Sequence, residues 1–431
     1  MKKVLAKMLI PKFILSKEFI RLKVLIIIIS ILLEIYYRFL IVPEYNHLGF
    51  KLDFNILKYS VSKLGFIFLL YLSFIMYNKN KFLYSIYLLL LFFFYIPIAI
   101  IFSYANGNFG PFLSNLFFVS TFVLSAFVNI KLPSFVVPAK HSSSILLLAS
   151  LFFIMPIILT FKTDIYLKTL LLKDIYETRE LFSLKATGAV NYFYHFAVKT
   201  ILPVGLIFFM IRKKPIFISL FFIVLIYLFV ISGNKFVYFT SVILIYFYYV
   251  GKDYVSKISY FFLFTILLFL LFPVIDYGII RSGKLVFSGT FVNRFLFIPA
   301  LLTQWYFDFF DGKPFFFAES HFFNRFFNSP YDMPVGFLIS KVYLNTTDAY
   351  ANNGIVSDGF MNLGYFGVGL FSIVFALLFS LFNSLKLHVG YYGLFFSYIY
   401  MILSAPLFGC FITGGLLVFM FFAIFILRNK T

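Results

Sequence analysis

The chain is poor in charge and has almost no cysteine. Only 12% of its 431 residues are charged, whereas 62% are hydrophobic. Soluble domains carry about a quarter charged residues because their surface faces water, so a water-soluble domain is excluded. The single cysteine, Cys410, excludes an intramolecular disulfide and a cysteine-based metal site.

Several catalytic and cofactor motifs are also absent. The sequence contains no P-loop, no glycine-rich dinucleotide turn, no His-Glu-x-x-His and no Asp-x-Asp pair. An enzyme that uses cytoplasmic nucleotide sugars would need a soluble domain for its donor, and the composition leaves no room for one. We therefore expect no cofactor and no metal, and a substrate that already lies in the membrane.

The net charge of +20 comes from 36 Lys and Arg against 16 Asp and Glu. In a soluble protein this balance would suggest a nucleic-acid partner. In a membrane protein the cytoplasmic loops collect Lys and Arg, so topology accounts for the excess. We expect no nucleic-acid partner.

Long apolar runs dominate the sequence. A bilayer-spanning helix needs about 20 predominantly apolar residues, and this criterion predicts an all-α polytopic protein of about 12 spans, with residues 1–431 forming a single transmembrane domain. The predicted spans are Val24–Val42, Gly65–Tyr77, Leu83–Ser103, Asn115–Val128, Ser144–Phe161, Val190–Ile211, Pro215–Ile231, Val237–Val250, Ile258–Ile275, Met361–Phe382, Tyr391–Pro406 and Ile412–Leu427. The first span is expected to be retained, because it is longer than a signal-peptide core.

The basic residues of the short loops predict the orientation. They gather before the first span and after each even-numbered one, which places both termini in the cytoplasm. Two long external loops follow, at about 162–189 and 276–360. Apolar runs in the second loop, such as Phe295–Leu302 and Phe315–Phe317, predict helices that lie in the outer interface.

Charged residues within the predicted spans are candidates for function. Glu34 and Arg38 are four residues apart in the first span, which favours an ion pair, with a substrate role as the alternative. His195 and Lys199 have the same spacing in the sixth span and no acidic partner there. An intramembrane lysine normally faces a polar cavity or an anionic ligand, although Lys199 also suits a side chain that extends to the outer interface. Lys235 is predicted on the external side, against the charge trend.

Arginines also gather in the two long loops. Arg179 lies in the first loop, and Arg281, Arg294 and Arg325 lie in the second, with His321 among them. A guanidinium binds phosphate through paired donors. Each arginine alone also suits a solvated loop charge, but together they predict a pyrophosphate clamp.

Three stretches resemble a known family. They are Asn293-Arg-Phe-Leu-Phe-Ile-Pro299 followed by Trp305–Phe310 and Ser320-His321; Ala351–Gly367, which leads into a span; and the turn Ser232-Gly-Asn-Lys235. The region from 232 to 367, about a third of the chain, resembles the bacterial repeat-unit polymerases of O-antigen and capsule, the Wzy type.

That family also carries an arginine followed some ten residues later by glycine in each of two external loops. Here eight residues separate Arg179 from Gly188 and seven separate Arg281 from Gly289, so the chain departs from that spacing.

The resemblance implies a metal-independent membrane glycosyltransferase that acts on the outer face of the bacterial inner membrane. Donor and acceptor would both be glycans on undecaprenyl pyrophosphate, within the lipid, and a chain-length regulator stays open as a further partner. The resemblance assigns pyrophosphate binding to Arg179, Lys199, Arg281 and Arg294, with Arg281 counted as catalytic. His321 is the candidate base, Asp308 and Asp358 are its alternatives, and His195, Lys235 and Arg325 complete the substrate-binding set.

Two other functions stay open. A flippase or transporter of lipid-linked saccharides would also have about 12 helices and a cationic cavity, but with charges on several helices near the bilayer midplane. An O-antigen ligase, which moves finished glycan to a lipid anchor, would share the loop-rich layout.

Overall fold

The computed structural model describes residues 16–162, 164–171, 173–280, 285–320 and 323–428. All regular structure within these ranges is helical, and they contain no β-strand. A backbone in lipid must satisfy its own hydrogen bonds, which a helix does within one segment. The all-α prediction is therefore confirmed.

The helices are numbered in chain order. They are α1 (Lys17–Leu48), α2 (Ile56–Lys79), α3 (Lys81–Tyr104), α4 (Phe109–Ala126), α5 (Lys140–Phe161), α6 (Ile175–Lys185), α7 (Ala189–Ile211), α8 (Pro215–Ser232), α9 (Lys235–Tyr249), α10 (Tyr254–Gly278), α11 (Ser288–Phe297 continued by Ile298–Phe309), α12 (Val335–Leu344), α13 (Ile355–Leu385), α14 (Val389–Ile402), α15 (Leu407–Phe411) and α16 (Leu416–Leu427).

Nine helices within the described ranges are long and apolar enough to cross a membrane: α1 to α5, α7, α8, α10 and α13. The other three predicted spans correspond to the shorter apolar helices α9, α14 and α16. The protein is thus a polytopic all-α membrane protein, and nine of its twelve predicted spans are full-length candidates.

Some spans are longer than hydropathy predicts. Helix α2 begins at Ile56 rather than at Gly65 because its lysines have partners on neighbouring elements. The Lys58 ammonium donates to the carbonyl oxygens of Asn106 and Gly107 at 3.0 and 2.9 Å. These bonds lower the cost of a charge near the end of a membrane helix.

The helices alternate in direction, which gives the bundle two ends. At one end the Tyr254 hydroxyl donates to the carbonyl of Leu387 at 3.1 Å, near the starts of α1 and α3. We call this the terminal end, since residues 16 and 428 both lie on it. The opposite end carries the chain between α5 and α7 and between α10 and α13, and we call it the loop end.

Four helices contain a wide π-helical turn that ends two residues before a proline. The turns are Tyr37–Ile41, Leu91–Tyr95, Ala197–Ile201 and Ser288–Phe297, and the prolines are Pro43, Pro97, Pro203 and Pro299. Proline lacks an N–H and its ring crowds the carbonyl four residues earlier. An extra residue in the preceding turn relieves that conflict, so the helix continues instead of breaking.

A buried carboxylate fixes the start of the second long loop. Asp276, which is 2% exposed, accepts hydrogen bonds from the backbone N–H groups of Val286, Phe287 and Ser288 at 3.1, 2.8 and 2.9 Å. The chain therefore returns to the end of α10 before α11 begins.

The second loop forms helices, as predicted, but they pack against the protein. The regular half of α11 contacts α3, α4, α12 and α13, and its Trp305 and Tyr306 are buried. The run Phe315–Phe317 is not helical, because Phe316 and Phe317 both have positive φ. The interfacial-helix prediction was therefore wrong for that run.

Candidate functional site

Two predicted site residues, Arg281 and His321, lie outside the described residues. The structure places four of the others at the loop end as two pairs, Arg179 with Lys235 and His195 with Lys199, and Tyr194 lies between the pairs. We call these four residues the cationic cluster. Arg294 is on an adjacent helix, whereas Asp308, Asp358 and Arg325 belong to other parts of the loop end.

Arg179 connects α6 to the turn between α8 and α9. Its Nε donates to the carbonyl oxygen of Gly233 at 3.0 Å. Gly233 adopts a left-handed conformation with φ of 59°, and a Cβ there would approach the carbonyl oxygen of Ile175 to 2.8 Å. Only glycine fits this position without strain, so Gly233 sets the close approach of α6.

Arg179 and Lys235 lie on the same aromatic ring. The Arg179 Cζ is 5.7 Å from the centre of the Tyr176 ring, and the Lys235 Nζ is 6.0 Å from it. Both distances are within the range of cation–π contacts. An exposed Tyr176 thus holds two cations on neighbouring helices beside each other.

Tyr194 attaches α7 to the same turn. Its hydroxyl lies 2.7 Å from the Ser232 Oγ, and its ring centre lies 4.6 Å from that of Phe182 on α6. Tyr194 is fully buried. These contacts make α6, the start of α7 and the turn at residues 232–235 one packed unit.

His195 and Lys199 follow Tyr194 along α7, towards the bundle interior. The buried His195 Nδ1 has no hydrogen-bond partner among the described residues. Lys199 lies in the π-helical turn Ala197–Ile201, and π turns are frequent at functional sites.

The Lys199 ammonium also has no hydrogen bond or ion pair within the described ranges. It does interact electrostatically with the Cys410 thiol on α15. Burial raises the pKa of the Cys410 thiol to about 12, and Lys199 opposes that shift. Buried polar groups normally have partners, so Lys199 is suited to bind an anion.

No member of the cationic cluster forms an ion pair with a carboxylate of the described residues. Ion pairs within the described ranges join Lys63 to Glu34, Lys168 to Asp174 and Lys185 to Asp164. None of them includes a member of the cluster. The cluster is therefore suited to an anion such as phosphate or pyrophosphate, which would bind through charge-assisted hydrogen bonds.

Arg294 lies on the π-helical half of α11 and is exposed. The neighbouring Phe291 and Phe295 contact Phe239 of α9 with ring centres 6.2 and 6.3 Å apart. Phe239 is one helical turn from Lys235. Arg294 is thus carried by a helix that packs on the helix of Lys235.

Asp308 forms a separate polar patch with α4. It accepts a hydrogen bond from the Asn108 amide, while the Asn108 backbone N–H donates to Gln304 at 3.2 Å. Asp308 is exposed, but side chains packed around its carboxyl remove part of its water and raise its pKa, an effect that Asn108 opposes. An exposed carboxylate beside an amide is available to bind a hydrogen-bond donor.

Asp358 is buried in α13 and makes contacts within the protein. One carboxylate oxygen accepts from the Asn362 side chain at 2.9 Å, and the other accepts from the backbone N–H of Leu407 at 2.9 Å. Asp358 thus caps α15. No hydrogen bond or ion pair among the described residues joins Asp358 to Asp308 or to the cationic cluster, although Asp358 and Lys199 both act on the Cys410 thiol. Arg325 lies in an exposed turn.

Glu34 pairs with a residue other than the one predicted. Its carboxylate forms an ion pair with Lys63 of α2 and accepts a hydrogen bond from the Tyr104 hydroxyl at 3.1 Å. Arg38 is exposed in the π-helical turn of α1, near the ring of Phe39. The predicted Glu34–Arg38 pair was therefore wrong, because the π turn alters the spacing and Lys63 is closer.

Tyr176, Tyr194 and Asn108 were not predicted as site residues. Aromatic and amide residues are too common in this sequence to mark a site, and only their positions across helices identify them. The described residues contain no group of three or more His, Cys, Asp or Glu side chains that could hold a metal ion.

Comparisons with protein-family models, with curated proteins and with solved structures found no match to the chain.

Proposed function

We propose that the protein is a membrane glycosyltransferase that polymerises oligosaccharide repeat units carried on undecaprenyl pyrophosphate. The observation that carries the proposal is the cationic cluster, which has no carboxylate partner among the described residues. It lies at the loop end of membrane helices, where the diphosphate of a lipid carrier would sit. The fold therefore suits a substrate that is presented from the membrane.

The cluster would act on the leaving group. In the proposed reaction an acceptor hydroxyl oxygen attacks the anomeric carbon of the donor glycan, and the bond from that carbon to the pyrophosphate oxygen breaks. Negative charge develops on the departing undecaprenyl pyrophosphate. Arg179, Lys199 and Lys235 would stabilise this charge because they are already positioned before the reaction.

The proton of the acceptor hydroxyl must pass to a base. Asp308 suits this role among the described residues, because it is exposed and its pKa is raised. His321 and Arg281 remain in the proposal on the sequence resemblance alone. Asp358 is less suitable, since both of its carboxylate oxygens are engaged within the protein.

The proposed location is the bacterial inner membrane, with both termini and the terminal end of the bundle in the cytoplasm. The distribution of basic residues in the short loops supports this orientation. The loop end would then face the outer side, where lipid-linked repeat units are joined.

A flippase is the second candidate, and one observation favours it. Glu34, Lys63, His195, Lys199 and Asp358 all lie within the helices α1, α2, α7 and α13. Charges on several membrane helices are typical of transport pathways. The two candidates differ in whether the protein forms glycosidic bonds.

Reconstitution of the purified protein in liposomes with synthetic lipid-linked repeat units tests the proposal. Wild-type protein should produce a ladder of glycans on a gel, and the ladder should persist with a metal chelator. Arg179→Gln and Lys199→Met should each slow ladder growth by about 10²-fold or more, as loss of one charge-stabilising group does elsewhere.

Lys185→Gln is the matched control. Lys185 lies on the same helix as Arg179, but it pairs with Asp164 at 2.7 Å, and it should retain the wild-type rate within a factor of about two. Movement of the labelled lipid across the bilayer without ladder formation would contradict the polymerase proposal and support the flippase. Equal loss in the Lys185 control would contradict a specific role for the cluster.

A further inference from the structure

A second basic site lies at the terminal end, opposite the cationic cluster. Here the ends of α2 and α13 and the start of α3 surround a cavity of about 450 Å³. This volume is within the usual range of about 300–1,000 Å³ for small-ligand sites. The cavity is open at the level where these three membrane helices end.

The charged residues that line the cavity are all lysines. They are Lys79 at the end of α2, Lys81 at the start of α3 and Lys386 after the end of α13. The side-chain amides of Asn80 and Asn383 complete the polar wall. None of the three lysines forms an ion pair within the described ranges.

Lys81 is the informative member of this group. A lysine at a helix C-terminus, such as Lys79, compensates the negative end of the helix dipole and needs no ligand. Lys81 instead occupies the first position of α3, where the dipole is positive and favours an anion. Asn80 caps the α3 N-terminus, and Lys79 and Lys81 lie over the rings of Phe127 and Tyr77, so an anion in the cavity would supply the negative charge that these contacts lack.

The cavity floor is apolar and firmly packed. Phe82 contacts Tyr254 and Phe395 with ring centres 5.1 and 4.9 Å apart, and Phe382 contacts Phe395 at 5.1 Å. The Tyr254 hydroxyl donates to the carbonyl of Leu387 at 3.1 Å. The site is therefore formed without a ligand, with an apolar wall beneath its charges.

We infer that this cavity binds the phosphate group of an anionic glycerophospholipid. Lys79, Lys81 and Lys386 receive the phosphate oxygens, and the aromatic floor contacts the apolar part of the lipid. Basic pockets between membrane helices recognise lipid head groups in this way. The ligand chemistry is a phosphate group next to an apolar chain, and the apolar floor favours a lipid over a soluble phosphate. This inference does not depend on the proposed function, because it concerns the opposite end of the bundle.

Native mass spectrometry of the purified full-length protein tests the site. The protein is taken from nanodiscs of phosphatidylcholine with or without phosphatidylglycerol, and the bound lipid is counted. Wild-type protein should retain phosphatidylglycerol in preference to phosphatidylcholine. A triple variant with Lys79→Gln, Lys81→Gln and Lys386→Gln should lose that preference at least tenfold.

A second triple variant controls for total charge. Lys131→Gln, Lys214→Gln and Lys252→Gln remove three exposed lysines from the same end without changing the cavity lining, so lipid retention should persist. Lys79→Arg, Lys81→Arg and Lys386→Arg should also retain the lipid, which guards against a folding defect in the glutamine variant.

Soluble phosphate forms the last arm of the test. Inorganic phosphate or glycerol phosphate should fail to displace the bound phosphatidylglycerol at concentrations that leave the protein folded. Displacement by either compound would contradict a lipid ligand and indicate that the cavity binds a soluble phosphate. Equal lipid loss in both glutamine triples, or no preference in the wild type, would overturn the site itself.

Discussion

The Nε of Arg179 donates to the carbonyl oxygen of Gly233 at 3.0 Å, and this bond joins two elements that are 54 residues apart in sequence. It positions the guanidinium beside Lys235 and Tyr176. The bond depends on the left-handed backbone of Gly233, which exposes its carbonyl where a side chain would push α6 away. The position of Arg179 is therefore fixed by a glycine in the turn between α8 and α9.

Gly233→Ala should destabilise the protein by about 1–3 kcal/mol and displace α6. The added Cβ would lie 2.8 Å from the Ile175 carbonyl oxygen and in a strained φ of 59°. The thermal unfolding midpoint in detergent measures the change. Gly312→Ala separates the two effects, because Gly312 has a φ of 67° but no atom within 4 Å. A Gly233 variant no less stable than the Gly312 variant would contradict close packing of α6.

Lys63→Met should destabilise the protein by about 2 kcal/mol, because it leaves the Glu34 carboxylate without its ion-pair partner. A fully buried pair would lose about 3–5 kcal/mol, but the Lys63 side chain is 34% exposed. Arg38→Met should cost much less, since Arg38 is exposed and pairs with no carboxylate within the described ranges.

The double variant Glu34→Gln with Lys63→Met completes the test of this pair. It should recover most of the stability lost in Lys63→Met, since no unpaired charge remains. Unfolding in denaturant gives the free energy of unfolding of the wild type, the two single variants and the double variant. A larger loss of stability from Arg38→Met than from Lys63→Met would instead support an ion pair between Glu34 and Arg38 within α1.

Hydropathy predicted the nine helices that are long and apolar enough to cross a membrane, but not where several of them begin. The predicted starts of α10 and α13, Ile258 and Met361, lie after the true starts because Lys257 and Asp358 interrupt the apolar runs. In the structure the Lys257 ammonium donates to the carbonyls of Val250 and Gly251 at 2.9 and 3.1 Å, and Asp358 caps α15. A charge with a partner on another element is compatible with a membrane helix, and a single sequence does not reveal that partner.

The same limit applies to the candidate site. The sequence identified Arg179, Lys199 and Lys235 by their charge, but the association of Arg179 with Lys235 depends on Tyr176 and on the turn at Gly233. The charge of each residue is known from the sequence alone, whereas cation–π and backbone contacts across helices depend on the fold. Four of the π-helical turns are an exception, since a proline follows each of them by two residues, but the π-helical segments Val274–Ile280 and Ala423–Leu427 have no such proline.

Asp276→Asn should loosen the start of the second long loop. The carboxylate accepts three backbone N–H bonds, and an amide has only one oxygen to accept them while its NH₂ would face a donor. We expect a loss of about 2 kcal/mol and faster cleavage near residues 277–287 in limited proteolysis. Asp311→Asn, at an exposed position of the same loop, should change neither. Unchanged protease resistance in Asp276→Asn would exclude this carboxylate as the anchor.

Cys410 provides a direct measure of the environment of Lys199. The thiol is fully buried and its pKa is raised to about 12, chiefly by burial. At pH 8 its thiolate fraction is on the order of 10⁻⁴ or less, and the thiolate is the reactive form. Folded protein should therefore resist N-ethylmaleimide at this pH, while denatured protein should react, and intact mass spectrometry distinguishes the two.

The pH dependence of this labelling tests whether Lys199 lies near Cys410. The Lys199 ammonium stabilises the thiolate and opposes the upward shift of the Cys410 pKa. Lys199→Met removes that cation, so over the pH range in which Lys199 is charged the thiolate should be less favoured and labelling of the folded protein should require a higher pH. Lys235 lies near the Tyr176 ring on another helix, so Lys235→Met should leave the labelling profile unchanged. A shift of labelling to lower pH in Lys199→Met would mean that the substitution opens the packing around Cys410. Equal shifts in both variants would contradict a specific proximity of Lys199 to the thiol.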